Sequence, residues 1–476
     1  MQNIATDVCV TKHMVNDAVD FSHATGIVML NKPDESSGDR QKSSHAPFTM
    51  YPSSFSKSAF SQTQSVQDDI HSLFHKVSRD VVFLEEVLRS TIAVDSFVKN
   101  LFEIYKATLG NEFAQKVEIG IYRSDYMLQK SPGEPAVFLP KQIEINTMAA
   151  SFFGIGTNKV KRLQQYNLRN AGISFDNLNM PENGALGGIA RVMVEGWKKY
   201  GNPEALFVFM INKSETNIYD QRAIEYAMYE YDPAVKVRRK VFDNCISTTR
   251  TDQDGKLFID DEEVAVVYFR TCYMPDQFPT NKHWEVRKLI ELSSAIKSPS
   301  IAHQLVGSKK IQQVLAKPGV LEKFIKDEDA VKRLRGTFAD LYSLDMNAAG
   351  DAAVKLAIEK PEGFVLKPQR EGGGNNLYDS EMVEQLTEIG GDERRCAYIL
   401  MEKIIPPVQK NYIIYDHACS MANTVSELGI FGAFLTNGDE VTDSHTVGHL
   451  LRSKSDKHKD GGVAAGVAVL DSPILI

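Results

Sequence analysis

The sequence predicts an α/β protein of more than one unit, and three observations carry that prediction. Between residues 203 and 299, apolar strand-like runs such as Ala205-Leu206-Phe207-Val208-Phe209-Met210-Ile211 and Val264-Ala265-Val266-Val267-Tyr268-Phe269 alternate with a helical pattern, as in a parallel sheet with crossover helices. Between 65 and 113, Val66, Ile70, Leu73, Phe74, Val77, Val81, Leu84 and Leu88 recur at helical spacing as one apolar stripe. The short buried strand Gly363-Phe364-Val365-Leu366 runs directly into Lys367-Pro368-Gln369-Arg370-Glu371-Gly372-Gly373-Gly374-Asn375-Asn376-Leu377-Tyr378.

In chain order, residues 31–65 are rich in Ser, Pro and Lys and read as an irregular surface crossing. The stripe over 65–113 follows as a helical hairpin or pair. Strand signals stand at 117–121 and 142–145, joined by a loop containing Ser131-Pro132-Gly133. In the unit over 203–299, the strand at 205–211 is followed by a helical run from Gln221, then by strands at 235–242 and 264–269. The polar stretch 248–254 with Gly255 reads as a hairpin tip. A third region, 341–422, carries a helix at 351–358, the glycine loop and a strand at 398–404. A strand-turn segment at 426–436 precedes the tail Gly461-Gly462-Val463-Ala464-Ala465-Gly466, and no repeat of fixed period is visible.

The chain has 476 residues, 43% of them hydrophobic, and 62 acidic against 54 basic residues give a net charge of −8. That balance argues against nucleic acid or an anionic membrane as partner, so an anionic substrate needs a local basic cluster. Lys309, Lys367, Arg370, Lys403, Arg452 and Lys454 supply one. Residues 1–14 have no uninterrupted apolar core of a secretory signal, and the five cysteines form no C-x-x-C pair, which together predict a cytoplasmic protein with free thiols. Cys272 reads as a small packing residue, having no base beside it in the sequence.

The glycine loop suits a polyphosphate and its metal. Glycines let backbone N–H groups approach phosphate oxygens, Lys367 and Arg370 bring charge, and Glu371 offers the hard oxygen that magnesium takes. A flexible linker has the same composition. In Gln142-Ile143-Glu144-Ile145-Asn146-Thr147, strand alternation points Gln142, Glu144 and Asn146 one way and Ile143 and Ile145 into the core. The polar face suits a metal sharing phosphate oxygens, or a solvated edge strand. Arg123 in Arg123-Ser124-Asp125-Tyr126-Met127 suits a substrate carboxylate or a surface ion pair. His449 reads as a packed histidine rather than a base.

These segments, with Met401-Glu402-Lys403-Ile404, Asp220-Gln221-Arg222-Ala223-Ile224-Glu225, Ser426-Glu427-Leu428-Gly429-Ile430-Phe431-Gly432 and the tail from Val447, resemble the eukaryotic-type glutathione synthetases nearly end to end. The resemblance implies a permuted ATP-grasp fold with an inserted parallel-sheet substrate domain and a lid. Main body would occupy 1–202, 304–340 and 423–476, the insert 203–303, and the lid 341–422. It implies a homodimeric, ATP-dependent carbon–nitrogen ligase that joins γ-glutamylcysteine to glycine through an acyl phosphate, with Mg2+ held by Glu144, Asn146 and Glu371.

By matching position, ATP would meet Met127, Lys309, Lys367, Pro368, Gln369, Arg370, Glu371, Gly372, Gly373, Gly374, Asn375, Asn376, Tyr378, Met401, Glu402, Lys403, Ile404, Glu427, Lys454 and Asp460. The dipeptide would meet Arg123, Met148, Ala149, Ala150, Ser151, Glu215, Thr216, Asn217, Gln221, Arg270 and Tyr273, with Arg452, Val463 and Ala464 near the acceptor. Arg452, Arg123 and Lys367 are the residues expected to carry catalysis. The chain departs from the family's Ser-x-Ser at Ala149-Ala150-Ser151 and from its Glu-Arg-Asn at Glu215-Thr216-Asn217. Ala464-Ala465 favours glycine over β-alanine, since relatives that use β-alanine carry larger residues there.

Overall fold

The computed structural model describes residues 4–6, 8–31, 41–113, 115–131, 137–371, 374–459, 461–464 and 466–476. Its central sheet has seven strands in the order Gln409–Tyr415, Phe48–Thr49, Val469–Asp471, Glu440–Ser455, Ala418–Asn437, Val117–Lys130 and Phe138–Asn146. Gln409–Tyr415 also pairs with the start of Ala418–Asn437, closing five of these strands into a ring. The expected strand-turn at 426–436 is instead part of one uninterrupted 20-residue strand, which turns only at Gly438, where φ is 63°.

Strand alternation divides the apolar residues of this sheet between two cores. Ile119, Ile121, Phe431, Ala433, Leu435 and Leu450 enter one, covered by Ile189, Val192 and Met193 of the helix Ala185–Tyr200. Tyr122, Tyr126, Leu128, Leu428, Ile430, Phe434 and Leu451 enter the other, covered by Ile70, Leu73, Phe74 and Val77 of Gln67–Arg79. Each such side chain, once fully buried, contributes roughly 1.5–3 kcal/mol. Gly120 lies across from Phe434 in the ladder, and a Cβ there would stand 2.1 Å from the ring.

The stripe over 65–113 forms three helices, Gln67–Arg79, Val81–Val94 and Ser96–Thr108, rather than a pair. Aspartates make the two breaks: Asp80 accepts from the N–H of Phe83, and Asp95 from those of Phe97 and Val98, each capping the helix that follows. The crossing expected at the surface over 31–65 is also different. From residue 43 it carries short strands, and Ala46, Phe48, Met50, Tyr51 and Phe55 are buried.

The inserted sheet is parallel where predicted: Val237–Val241, Leu206–Ile211, Glu262–Phe269 and Ile296–Ser298 run the same way. The hairpin Thr249–Thr251 and Leu257–Ile259 extends it antiparallel. Its alternate faces join both cores of the central sheet, Val208 and Val267 on one side and Phe207 and Val266 on the other. A third sheet, Leu341–Ser343, Tyr398–Glu402, Phe364–Pro368 and Leu377–Tyr378, has a small core of its own around Leu366, Leu386 and Leu400. Beyond Glu402 the chain leaves this unit and enters the central sheet at Gln409–Tyr415, short of the expected end at 422. No helix among the described residues is long and apolar enough to cross a membrane.

Candidate active site

The sheet face that packs under Ala185–Tyr200 changes character along its length. Past Ile121 it presents Arg123, Asp125 and Met127, and the neighbouring strands continue it with Gly429, Glu427 and Val425, with Arg452 and Lys454, and with Asn146 and Glu144. The same alternation that fills the core therefore delivers the polar cluster to one face.

Asp125, fully buried, is its hub. It accepts from Arg123 Nε at 2.7 Å and Nη2 at 2.8 Å, from Asn146 Nδ2 at 2.9 Å and from Arg452 Nη2 at 3.0 Å. Arg452 also donates to Glu427. The reading of Arg123 as a surface pair is thus set aside, for its guanidinium is buried and held by both oxygens of one carboxylate. Asp125 escaped the sequence reading, although its i, i+2 spacing from Arg123 on a strand was a signal.

On the adjoining strand the predicted alternation fails. A bulge opposite Asp125 and Tyr126 leaves Ile143 unpaired, so Gln142 turns to the core and donates to the Tyr126 hydroxyl, while Ile143 turns to the cleft. Glu144 and Asn146 stay on the site face, and Ile145 is in the core as expected.

The third sheet faces this cluster through Lys367, whose Nζ donates to the carbonyl of Ile143 at 3.0 Å and lies 3.7 Å from Met401 Sδ. Lys309, the first residue of a helix, donates to the Arg370 carbonyl at 2.7 Å and stands 3.5 Å from Glu144. Between the sheets lies a cleft of about 200 Å³ lined by Met127, Ile143, Lys367, Asn376, Tyr378, Met401, Glu402, Lys403, Ile404, Val425, Glu427 and Lys454. Ile143 and Val425 were not foreseen there.

The rest of the expected nucleotide set is placed otherwise. Arg370 turns its guanidinium to Asp95, and Gln369 is buried and accepts from the Lys310 N–H, both outside the cleft lining. Pro368 ends its strand, Asn375 donates to the Glu371 carbonyl, and Gly374 has φ 88°, a conformation suited to glycine, with open space beside it. Gly372, Gly373 and Asp460 lie outside the described residues.

Charge sets the two metal-type carboxylates apart. Burial works against ionising Glu144, but Lys309, Lys367, Arg123 and Arg452 together hold its carboxyl at about 2. Burial pushes Glu371 up to about 7, with the Glu144 charge adding to the rise against the pull of Lys309. A divalent cation would relieve this strain between two carboxylates, and Asn146, whose amide nitrogen is given to Asp125, has its carbonyl oxygen to offer. The donor set thus fits a hard divalent metal.

The expected dipeptide residues gather beside the insert. Arg270 donates to the Ala150 carbonyl, to Ser151 Oγ at 2.6 Å and to the Tyr268 hydroxyl at 3.1 Å. Asp220, also missed in the sequence, accepts from the N–H groups of Phe152, Gly154 and Ile155 and fixes the loop in which Ala149 and Phe152 have φ of 51° and 74°. Gln221 bridges Glu215 and Arg239, and the Asn217 N–H donates to Glu215. The buried Asn217 amide has no hydrogen-bond partner on either atom among the described residues, as befits a group reserved for a ligand.

Tyr273 is half-buried, its N–H on Gln277. Thr216 serves through its carbonyl, which accepts from Leu30, and Met148 is a core residue. In the tail Val463 is buried in the core, whereas Ala464 is exposed. Cys272 is fully buried with its thiol pushed up to about 12 by burial, and His449 is held down to about 3 by burial and the Lys161 charge, so both fit packing roles.

The fold, with a cleft between its central and third sheets bordered by Lys367, Lys403 and Lys454, is of the ATP-grasp class. The family model described as eukaryotic glutathione synthase, ATP binding domain, matches residues 10–475. The chain is 42% identical to the glutathione synthetase of Xenopus laevis over 477 residues, covering all of this chain and 99% of that one. It is 42% identical to the human enzyme, with 97% and 96% covered, and 38% to a chloroplastic glutathione synthetase of Arabidopsis thaliana, with 97% and 85% covered. Among solved structures, a glutathione synthetase-like effector from Globodera pallida in its apo form superposes over the full length of both chains with a TM-score of 0.79 at 25% identity. The chain belongs to the eukaryotic glutathione synthase family, and is an ATP-dependent ligase.

Proposed function

We propose that this chain joins γ-glutamylcysteine to glycine at the expense of ATP, with Mg2+ as the metal, yielding glutathione, ADP and phosphate. The observation that carries the reading is the Arg123–Asp125–Arg452 network on the same sheet face as Glu144 and Asn146, under a cleft that Lys367 borders.

The cysteinyl carboxylate attacks the γ-phosphorus, the bond to ADP breaks, and an acyl phosphate forms. Glycine's amine then attacks the acyl carbon, phosphate leaves with the C–O electron pair, and the amine nitrogen loses a proton. Glu144, Asn146 and Glu371 would hold the Mg2+, which would supply positive charge against the phosphates. Met401 and Ile404 offer apolar surface for the adenine, and Lys367 and Lys309 would meet the phosphates.

Asp125 aims Arg123 and Arg452 at the developing charge, while burial lowers the local dielectric and strengthens their effect. Arg270, Asn217 and Gln221 would hold the dipeptide. The glycine loop would close over the acyl phosphate and exclude water. ADP release measured with γ-glutamylcysteine, with and without glycine, tests the reading: dependence on both is expected, and dependence on neither would point to a nucleotide-binding protein without ligase activity. Arg452→Ala should abolish turnover with much smaller loss of ATP binding, and normal turnover would remove Arg452 from this role. We place the working form as a cytoplasmic homodimer, which fractionation and sedimentation would check.

A further inference from the structure

Away from the cleft, three side chains from three elements converge in the core: His75 of the helix Gln67–Arg79, Glu118 of the strand Val117–Lys130 and His303 of the helix Ile301–Val306. All are nine-tenths or more buried. His75 Nδ1 and His303 Nε2 are 3.2 Å apart, and Glu118 Oε2 is 3.9 Å from the first and 3.4 Å from the second. Ligand atoms about 2.0–2.2 Å from a tetrahedral zinc stand about 3.3 Å from one another, so two edges of this triangle match and a small turn of Glu118 closes the third.

We propose that His75, Glu118 and His303 form a structural site for a borderline divalent transition metal, zinc above all, separate from the nucleotide's metal. The surroundings orient His75 for it, whereas His303 Nδ1, which would carry the proton when Nε2 binds metal, is buried with no hydrogen-bond partner among the described residues. His75 Nε2 donates to the Gly438 carbonyl at 3.1 Å, which fixes the tautomer with the Nδ1 lone pair turned to the cluster. Glu118 Oε2 has no hydrogen-bond partner among the described residues, a costly arrangement for a buried oxygen unless something binds it. Two cations lie near: Arg79 is occupied by the Gly438 carbonyl at 2.7 Å and paired with Asp439 at 3.6 Å, and the buried Lys297 donates to the Ser293 carbonyl at 3.0 Å. Glu118 also borders a cavity of about 480 Å³, which the two histidines do not line and which gives a path of entry to the carboxylate. Two imidazoles with one carboxylate suit zinc or cobalt, whereas the oxygen-only set at Glu144 and Glu371 suits magnesium.

The test loads the full-length protein with Co2+, dialyses it, and reads metal content and visible spectrum. About one retained cobalt per chain is expected, with the intense bands of a four-coordinate nitrogen-containing site rather than the weak bands of an octahedral oxygen site. Glu118→Gln and His303→Gln should each lose that cobalt, while Glu371→Gln should keep it. Zinc should raise the unfolding temperature of the wild type and leave that of Glu118→Gln where it was. A wild type that retains no cobalt would overturn the proposal whatever the variants do, as would equal retention in Glu118→Gln or loss in Glu371→Gln.

Discussion

Replacing Asp125 by asparagine tests the organisation of the site at its hub. The side chain is fully buried and receives four hydrogen bonds, two from Arg123, one from Asn146 and one from Arg452. Asparagine preserves the volume but removes the charge, and its NH2 group faces donors where an acceptor stood. Arg123, itself buried, would then lack its countercharge. Removing one partner of such a pair costs about 3–5 kcal/mol. If the loss falls mainly on the placement of Arg123 and Arg452, at about 1.4 kcal/mol per decade turnover drops roughly 10²- to 10³-fold. The assay pairs ADP release at saturating substrates with the guanidinium unfolding midpoint, because the same cost divides between function and stability. A variant with wild-type turnover and an unchanged midpoint would refute the hub.

Four further outcomes are expected. Glu371 sits at about 7 in the free protein, so binding Mg2+ and ATP analogue should release about one proton at about pH 6 and almost none at about pH 8.5, and Glu371→Gln should abolish the difference; calorimetry in buffers of unlike ionisation enthalpy decides this. The same shift makes Glu371 favour the folded state below its ordinary 4.5, an advantage lost as pH rises toward 7, while Glu144, held at about 2, stabilises above 4.5 and loses that contribution as pH falls toward 2; unfolding of Glu144→Gln and Glu371→Gln across pH should separate the two signs. Gly429→Ala should slow turnover by tenfold or more, because a Cβ there would stand 2.7 Å from Arg123 Cδ and 2.8 Å from Asp125 Oδ1; phosphate release at wild-type rate would show the pair has room to shift. On the proposed placement of Ala464, which is exposed, near the acceptor, phosphate release should prefer glycine to β-alanine, and equal rates would remove that assignment.

Much of the fold could be read from apolar periodicity. The parallel strands of the insert are continuous apolar runs buried on both faces, and the helix at 351–358 appears as Ala348–Glu359. Periodicity reads poorly where breaks come from single polar residues. Asp80 and Asp95 each end one helix and cap the next without interrupting the apolar stripe, so three helices looked like two. The segment after residue 43 misled for a related reason: Ser53 and Ser54 are buried, Ser53 Oγ donating to Asp471 at 2.6 Å, so a polar composition did not mean a surface position. For the site, residue types and order placed the cleft lining from Met401 to Ile404, but a chain of letters carries no partner information. It could not show that Arg370 is committed to Asp95, nor that Asp125 serves two arginines at once.

The bulge at Ile143 joins the failed prediction to the working site. Ideal alternation would have put the Gln142 side chain in the cleft and the Ile143 carbonyl in the ladder. With one residue extruded, the cleft gains an apolar wall at Ile143, and the carbonyl that lost its strand partner accepts from Lys367 instead. The irregularity lies next to Glu144, whose neighbour across the ladder is Asp125. Under the proposed function, one extra residue would thus set together the carboxylate for metal, an apolar contact for nucleotide and the resting place of the lysine proposed to meet phosphate. Under the same proposal, Lys367 would give up a neutral carbonyl for a phosphate when a nucleotide enters. That exchange is favoured by charge, and it couples the third sheet to the contents of the cleft.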